Sequence, residues 1–461
     1  MGFKKNELLT LEITDITNLG FGVARHGGEV VFVSDTVPGD KVKAKIIKTA
    51  SSYAVARVEE YIRCSEERTD TRCDSRACRA CAYRLLSYEK ELSLKWESVK
   101  AIFKKAGLSE LEILPVTPSP KTRAYRNKAQ YPVALDKGGE YAIGFFAPKS
   151  HRVTEAADCA LAPKEFSRIL ELLRAYFKKY SISVYDETSG KGLLRHVYLR
   201  RAEVTKEILL TLVLNGESLP DTDYLIRTLT QAEENLVGIL INVNKSDTNV
   251  ILGEKFIALY GRDYIYDVLA GVRLKITAPS FYQVNREATE LLYAAAKELA
   301  APKKGDTVLD LYCGAGSIGL SMAKEAGEII GVEIVESAVR CAGENARANG
   351  IENASFYTAD AADTAKLLER AERERGEKIE PQTVILDPPR QGSDEGLLVY
   401  IANELSPEKI VYISCNPATL ARDINVLSPL GYNADKVRLF DLFPATGHVE
   451  SVVCLTRRLD D

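Results

Sequence analysis

The sequence predicts an α/β chain whose C-terminal part folds as a doubly wound, mainly parallel sheet, behind a small β-barrel and a mixed α/β region. Three patterns predict it. From about residue 285, apolar runs of strand length alternate with helical stretches, as βα units do. Residues 6–62 instead alternate apolar and polar side chains, with Gly-Gly and Pro-Gly turns between the runs. Residues 110–265 mix both periods. The expected segments are 1–62, 63–275 and 276–461.

In the first segment, residues 8–13, 20–24, 29–33, 41–47 and 53–58 read as strands. About five short strands suit a small closed barrel of the kind that holds oligonucleotides, although many such barrels bind protein or nothing. Next comes Cys73-Asp-Ser-Arg-Ala-Cys78-Arg-Ala-Cys81, ahead of a helical stretch over 87–105. Three thiols at these intervals can converge on one metal from a tight loop. A fourth ligand must then come from elsewhere: Cys159 is the best candidate and Cys64 its competitor. All-thiolate ligation admits a [4Fe–4S] cluster or structural zinc, and a metal-free role stands beside both. The central region reads as a strand over 128–133, a helix over 163–180 and strands near 196–201, 207–214 and 237–243. It carries no chemistry motif, although Tyr125-Arg126-Asn127-Lys128 concentrates polar and cationic groups.

In the third segment a helix over 286–299 leads to a strand over 306–311 and a glycine-rich loop. Strands over 329–333, 354–358, 383–387 and 409–413 follow, with helical sequence between them. Residues 449–457 supply a late strand, expected to be antiparallel and at the sheet edge.

Hydrophobic residues at 46% and charged residues at 27% are ordinary for a soluble globular protein. The net charge of −4 does not mark a nucleic-acid binder. Residues 61–131 nevertheless carry more Lys and Arg than Asp and Glu, a surplus that either meets phosphates or faces solvent. No run approaches the ~18 apolar residues of a membrane span. The first six residues lack the apolar core of a signal peptide. Nine unevenly spaced cysteines then argue for metal binding or catalysis rather than disulfides. A cytoplasmic monomer is expected.

Gly314-x-Gly316-x-x-Gly319 fits a dinucleotide fingerprint, with Glu333 at about the distance that holds a ribose. A nicotinamide dehydrogenase satisfies this much. Two features point away from it. The first strand ends in an acid, Asp310, expected against a cationic or amino-bearing part of the ligand, and the fourth ends in the rigid turn Asp387-Pro-Pro-Arg390. With Glu333 and Asp360 after the second and third strands, the pattern resembles a class I S-adenosylmethionine methyltransferase with its Rossmann-like domain. That resemblance implies Glu333 on the ribose hydroxyls and Asp360 near the adenine.

Asp-Pro-Pro also serves amino-group methylation, where an aromatic residue follows to stack on the base; here Arg390 follows. Cys415, at the exit of the fifth strand before Asn416-Pro417, meets a different need. Carbon 5 of a pyrimidine is a weak nucleophile until a thiolate adds at carbon 6, and a thiolate both attacks and leaves readily. The carbon 5 proton must afterwards be removed by a base. Glu450, in Thr446-Gly-His448-Val-Glu450, is available for that, with His448 able to orient it or the nucleobase. An amino-group methyltransferase and a non-catalytic RNA-binding protein remain as other classes.

Five ordered stretches carry a family resemblance: Ser280-Phe-Tyr-Gln283-Val-Asn285, Asp310-Leu-Tyr312-Cys-Gly-Ala-Gly316, Asp387-Pro-Pro-Arg390, Ser414-Cys-Asn-Pro417 with Arg422-Asp423, and Phe443-Pro-Ala-Thr446-Gly-His-Val-Glu450. Together they resemble the RNA uridine-5 methyltransferases, whose branches act on bacterial 23S rRNA and on tRNA. Residues 1–62 resemble the TRAM RNA-binding domain, and the cysteine set resembles the family's iron–sulfur site. The resemblance implies Cys415 as nucleophile and Glu450 as the base. Gln283, Tyr312, Glu333, Asp360 and Asp387 would contact S-adenosylmethionine. Cys73, Cys78, Cys81 and Cys159 would ligate a [4Fe–4S] cluster, with zinc the runner-up. The family usually has five residues between the first two cluster cysteines, where this chain has four. The barrel and the cysteines favour 23S rRNA as the partner, with tRNA the alternative. Either substrate requires its target base to be flipped out of the stack.

Overall fold

The computed structural model describes residues 3–69, 73, 78–148 and 150–458; residues 1–2 at the start and 74–77 of the cysteine loop lie outside them. Six N-terminal strands share one sheet, in the order Leu8–Glu12, Lys41–Thr49, Tyr53–Arg63, Glu29–Ser34, Phe21–His26, Asp15–Ile16. Alternate residues, among them Leu9, Leu11, Val31, Val33, Val42, Ala44 and Ala56, fill its core, as period-two patterning dictates. The sixth strand, Asp15–Ile16, is two residues long and too short to leave a period in the sequence.

The central region forms a seven-stranded sheet, in the order Val153–Glu155, Tyr141–Phe146, Lys128–Leu135, Leu194–Arg201, Ile208–Leu214, Leu236–Val243, Lys255–Gly261. Helices Lys164–Lys179 and Thr222–Ala232 cover one face through Phe166, Leu170, Leu173, Leu225 and Leu229. Ala129, Tyr131 and Val133 belong to that core, so Lys128, Gln130, Pro132 and Ala134 point to the opposite face. Part of this second face meets the C-terminal domain, where Tyr198 Oη donates to the Ala278 carbonyl at 2.9 Å.

The third sheet has eight strands: Ala354–Thr358, Glu328–Glu333, Thr307–Leu311, Thr383–Leu386, Lys409–Ser414, Glu450–Arg457, Tyr432–Phe440 and Glu112–Thr117. The first five are mutually parallel. Glu450–Arg457 is antiparallel, as expected, but it is an interior strand and not an edge. Tyr432–Phe440 covers it, and Glu112–Thr117, from the stretch read as central, pairs parallel beyond that. Tyr432–Phe440 lacks a clear strand pattern in the sequence because charges interrupt it, and its pairing shifts register between Ala434 and Val437. Pairing of Glu112–Thr117 across some 300 residues leaves no local trace.

Helix Tyr88–Lys105, capped by Ser87, packs Val99 and Phe103 into the apolar core of the third sheet. It also carries a buried charge cluster. Lys95 Nζ lies 2.7 Å from Glu91 Oε1 and 2.7 Å from Asp441 Oδ1, with all three side chains out of solvent. Glu91 Oε1 further accepts from the Ala445 backbone N–H at 2.7 Å, and Tyr88 Oη donates to Asp441 Oδ2 at 2.9 Å. Burial pushes the Glu91 carboxyl up to about 7, against the pull of Lys95. The helix therefore clamps the loop that leads into Glu450. Lys95→Met is expected to leave two buried carboxylates facing each other and to destabilise the chain by about 3–5 kcal/mol, as broken buried pairs do. Urea unfolding measures this; an unchanged midpoint would refute the clamp.

Candidate active site

Five parallel strands direct their C-terminal ends at one cavity of about 870 Å³, the position at which open α/β sheets bind ligands. On one side stands the glycine loop. Gly314 has φ +55°, and a Cβ there would meet nothing within 4 Å, which leaves the loop open to a ligand. A Cβ on Gly319 would come within 2.9 Å of Asp310 Oδ2, the atom that accepts from the Gly319 N–H at 2.9 Å. Asp310 is fully buried, with its carboxyl pushed up to about 7 by that burial. It anchors the start of helix Ser317–Met322 from below and does not line the cavity. The expected contact between Asp310 and a ligand is thus corrected: strand geometry turns its side chain under the loop.

Glu333, Tyr312, Asp360, Asp387 and Gln283 all line the cavity. Glu333 accepts from the backbone N–H groups of Gly314, at 3.1 Å, and Val335, at 2.9 Å, which fixes its carboxylate beside the loop. Tyr312 adopts a left-handed φ of +64°, a costly conformation for an aromatic residue that is concentrated at functional turns. Asp360 accepts from the Ala362 N–H at 3.0 Å. Gln283 arrives from the loop before helix Arg286–Ala300, where its carbonyl accepts from Asn127 Nδ2 at 2.7 Å.

The opposite side carries the thiol and the carboxylates. Ser414 pairs with Ser451 across antiparallel strands, so Cys415 leaves its strand beside the point where Glu450 enters the next. Cys415 is half-buried, and its thiol is raised first by burial and then by Glu450, while Arg390 acts in the opposite sense. Glu450 is 4% exposed; burial, reinforced by Asp387, holds its carboxyl well above the usual range. Burial also pushes Asp387 up to about 7. His448 is exposed, lines the cavity and stands edge-on to Phe443 with ring centroids 6.0 Å apart.

The residues around Cys415 join two loops. Asn416 Oδ1 caps helix Pro417–Leu427 through the Ala418 N–H at 3.1 Å, with Pro417 in the first turn. Asn416 Nδ2 donates to the Arg390 carbonyl at 2.9 Å. Asp423 Oδ2 accepts from the Ser393 N–H at 3.0 Å, and Arg422 Nη2 donates to the Gln391 carbonyl at 3.0 Å. Asn416, Arg422 and Asp423 thereby hold the Asp387-Pro-Pro-Arg390 turn against the Cys415 turn. A thiol, a carboxylate of raised basicity and a second acid share one cavity, an arrangement suited to covalent addition followed by proton removal.

Lys128 and Arg390 also line the cavity, and the sequence assigned neither of them a role there. The signal for Lys128 was the polar cluster at 125–128. Tyr125 Oη donates to the Pro444 carbonyl at 3.0 Å and Asn127 holds Gln283, so this central-domain stretch braces both active-site loops. Burial, with Arg200 and Arg126 nearby, lowers the Lys128 amine to about 8.

Cys73, Cys78, Cys81 and Cys159 lie near one another: burial raises the thiols of Cys78, Cys81 and Cys159, and Cys73 adds to each, as Cys159 does for Cys78 and Cys81. Exposed Cys64 acts on Arg68 instead. Among the described residues, however, no three His, Cys, Asp or Glu side chains are drawn together as metal ligands. The donor set has the chemistry of a thiolate-bound centre without the closed ligand geometry of one.

A family model described as tRNA (Uracil-5-)-methyltransferase matches residues 87–458, and a TRAM domain model matches residues 3–58. A Clostridium acetobutylicum protein, named only as an uncharacterized RNA methyltransferase, is 39% identical over 459 residues, covering 98% of each chain. A similarly named Clostridium tetani protein is 37% identical over 455 residues, covering 98% of this chain and 97% of its own. Among solved structures, the Pyrococcus abyssi tRNA (uracil-54, C5)-methyltransferase in complex with S-adenosyl-L-homocysteine superposes with a TM-score of 0.77 at 27% identity, covering 97% of this chain and 100% of that one.

Proposed function

The chain belongs to the tRNA (uracil-5-)-methyltransferase family, and on that premise we propose that it methylates carbon 5 of uridine in 23S rRNA through a covalent Cys415 adduct. The broader activity, S-adenosylmethionine-dependent methylation of uracil in RNA, follows from family membership and from the S-adenosyl-L-homocysteine-bound neighbour. The observation that carries the mechanism is the Ser414–Ser451 register, which brings Cys415 and Glu450 to one cavity.

The open glycine loop, Glu333 and Asp387 fit a nucleoside with a cationic centre. When bound, S-adenosylmethionine supplies an electrophilic methyl group. Gln283, Tyr312, Glu333, Asp360 and Asp387 would hold it. Cys415 adds as a thiolate to carbon 6 of the uracil, which moves electron density onto carbon 5. Once carbon 5 is methylated, Glu450 takes its proton, the carbon–sulfur bond breaks and the thiolate is regenerated.

The second reading is tRNA as substrate. A tRNA enzyme matches this chain almost end to end, so the barrel does not discriminate between the branches. The cysteine set is what supports ribosomal RNA. Mass mapping of 5-methyluridine in both RNAs from a deletion strain tests the choice. Loss from 23S rRNA is expected, loss from tRNA alone would establish the second reading, and no loss would overturn both.

Cys73, Cys78, Cys81 and Cys159 would hold the [4Fe–4S] cluster. Their mutual electrostatic influence and the separate position of Cys64 support this set. Anaerobically purified protein is expected to be brown and to contain iron by elemental analysis. Zinc without iron would replace the cluster by the runner-up.

A further inference from the structure

The central sheet carries a second concavity, of about 570 Å³, lined by Pro132, Ala134, Phe146, Tyr185, Arg195 and His196 among others. Part of its lining shares a sheet face with the catalytic cavity; Val133 and Leu135 line it from the other face, and Tyr198 and Arg200, between the two cavities, are buried. On strand Lys128–Leu135 the residues opposite the helix-covered core are Lys128, Gln130, Pro132 and Ala134. Lys128 lines the catalytic cavity, whereas Pro132 and Ala134 line the second one. The neighbouring strand repeats this order: Arg200 pairs with Lys128, Tyr198 with Gln130 and His196 with Pro132. At about 3.3 Å per residue, four to six residues of strand separate the two sites by about 13–20 Å. Stacked nucleotides rise about 3.4 Å each, so one RNA strand bridges that span with about four to six nucleotides, or fewer if stretched.

The chemistry of the second site suits a planar, neutral, hydrogen-bonding ligand. Phe146 is 40% exposed there, with the His151 ring at 5.7 Å. The Arg195 guanidinium lies over the Tyr185 ring at 4.3 Å. His196 is 8% exposed, and its Nδ1 has no hydrogen-bond partner among the described residues. Arg195 is 7% exposed; its Nη1 donates to the Asn244 and Ser246 carbonyls, while its Nε is also unpartnered. Buried polar atoms without partners are rare and costly; these two, themselves closed off from solvent, belong to residues that line a cavity. Burial keeps His196 neutral at physiological pH, so its ring offers one donor and one acceptor. Asp186 and Glu187 also line the site, with Glu187 2.6 Å from His151 Nδ1. Those carboxylates disfavour a phosphate and tolerate a base.

We infer that this cavity takes one unpaired nucleobase of the same RNA strand whose uridine occupies the catalytic cavity, stacked against the exposed aromatic surface and read at its edge by His196. The inference rests on the uridine methyltransferase reading. Lys128–Leu135 then acts as a spacer between the modified base and a second recognised base.

Two measurements test it on the full chain. Transcripts of 23S rRNA and of tRNA carrying 5-fluorouridine identify the RNA that forms an adduct at Cys415. In that RNA, 4-thiouridine is then placed singly at positions on either side of the trapped base. Irradiation is expected to cross-link peptides containing Phe146, Tyr185 or His196 from a position within about six nucleotides. Phe146→Ala and His196→Phe are expected to raise KM for the RNA about tenfold, as loss of one base–aromatic stack does, with kcat and the KM for S-adenosylmethionine unchanged. Phe146 is surface-exposed, and retained adduct formation verifies that each variant is folded. An adduct with no cross-link to these peptides from any position, or an unchanged KM in both variants, overturns the second site alone. Failure of every RNA to form an adduct overturns the uridine reading and this inference together.

Discussion

Cys415→Ala is expected to abolish both methyl transfer and the covalent complex with RNA containing 5-fluorouridine. Fluorine at carbon 5 cannot depart as a proton does, so the wild-type protein should stall with carbon 6 bonded to sulfur. That complex should survive denaturing electrophoresis. Loss of a nucleophile typically lowers turnover by about 10⁴ or more, leaving only what binding and orientation supply. Alanine fits the half-buried position without a clash, and the Asn416 and Ser414 hydrogen bonds that shape the turn do not use the thiol. An inactive variant should therefore be folded and still bind S-adenosylmethionine. The same adduct formed by Cys415→Ala would exclude this thiol as the nucleophile. Full activity without it would point instead to amino-group methylation.

Glu450→Gln is expected to separate the two halves of the reaction. Addition and methyl transfer need the thiolate and should proceed, while removal of the carbon 5 proton should slow by about 10²–10⁴. Methylated RNA would then accumulate on the protein as a covalent species with unmodified substrate, and single-turnover quenching would detect it. Release at the wild-type rate would remove Glu450 from the role of base. The pH dependence has a definite sign. Burial and Asp387 hold the Glu450 carboxyl well above its usual range, and burial with Glu450 raises the Cys415 thiol. Both groups act in their deprotonated forms, which grow as pH rises, so turnover should climb as pH rises through the neutral and into the alkaline range. A flat profile would count against both assignments.

The motifs at 280–285, 310–319, 387–390, 414–417 and 443–450 were legible because each is a short, chemically distinctive turn at a strand end. Their strands followed from local apolar runs. The residues that would meet S-adenosylmethionine were named from the family resemblance those motifs carry, and Gln283, Tyr312, Glu333, Asp360 and Asp387 do line one cavity. What the sequence misjudged depends on pairing between distant segments. The Glu450 strand was expected at an edge, yet Tyr432–Phe440 and Glu112–Thr117 lie beyond it and make it an interior strand. Asp310 was expected to face the ligand, but its side chain turns beneath the glycine loop to hold Gly319.

From the sequence alone came the doubly wound sheet, the β-rich leader and the candidate reactive groups, since these reside in local periodicity and in short motifs of distinctive residue type. Only the tertiary structure decided that Cys415 and Glu450 are neighbours, that Lys95 clamps the loop between Asp441 and Glu450, and that residues of one central strand line two separate cavities. Each of these depends on strand register and on burial between segments far apart in the chain. No local pattern encodes such contacts, because they exist only once the sheets have closed.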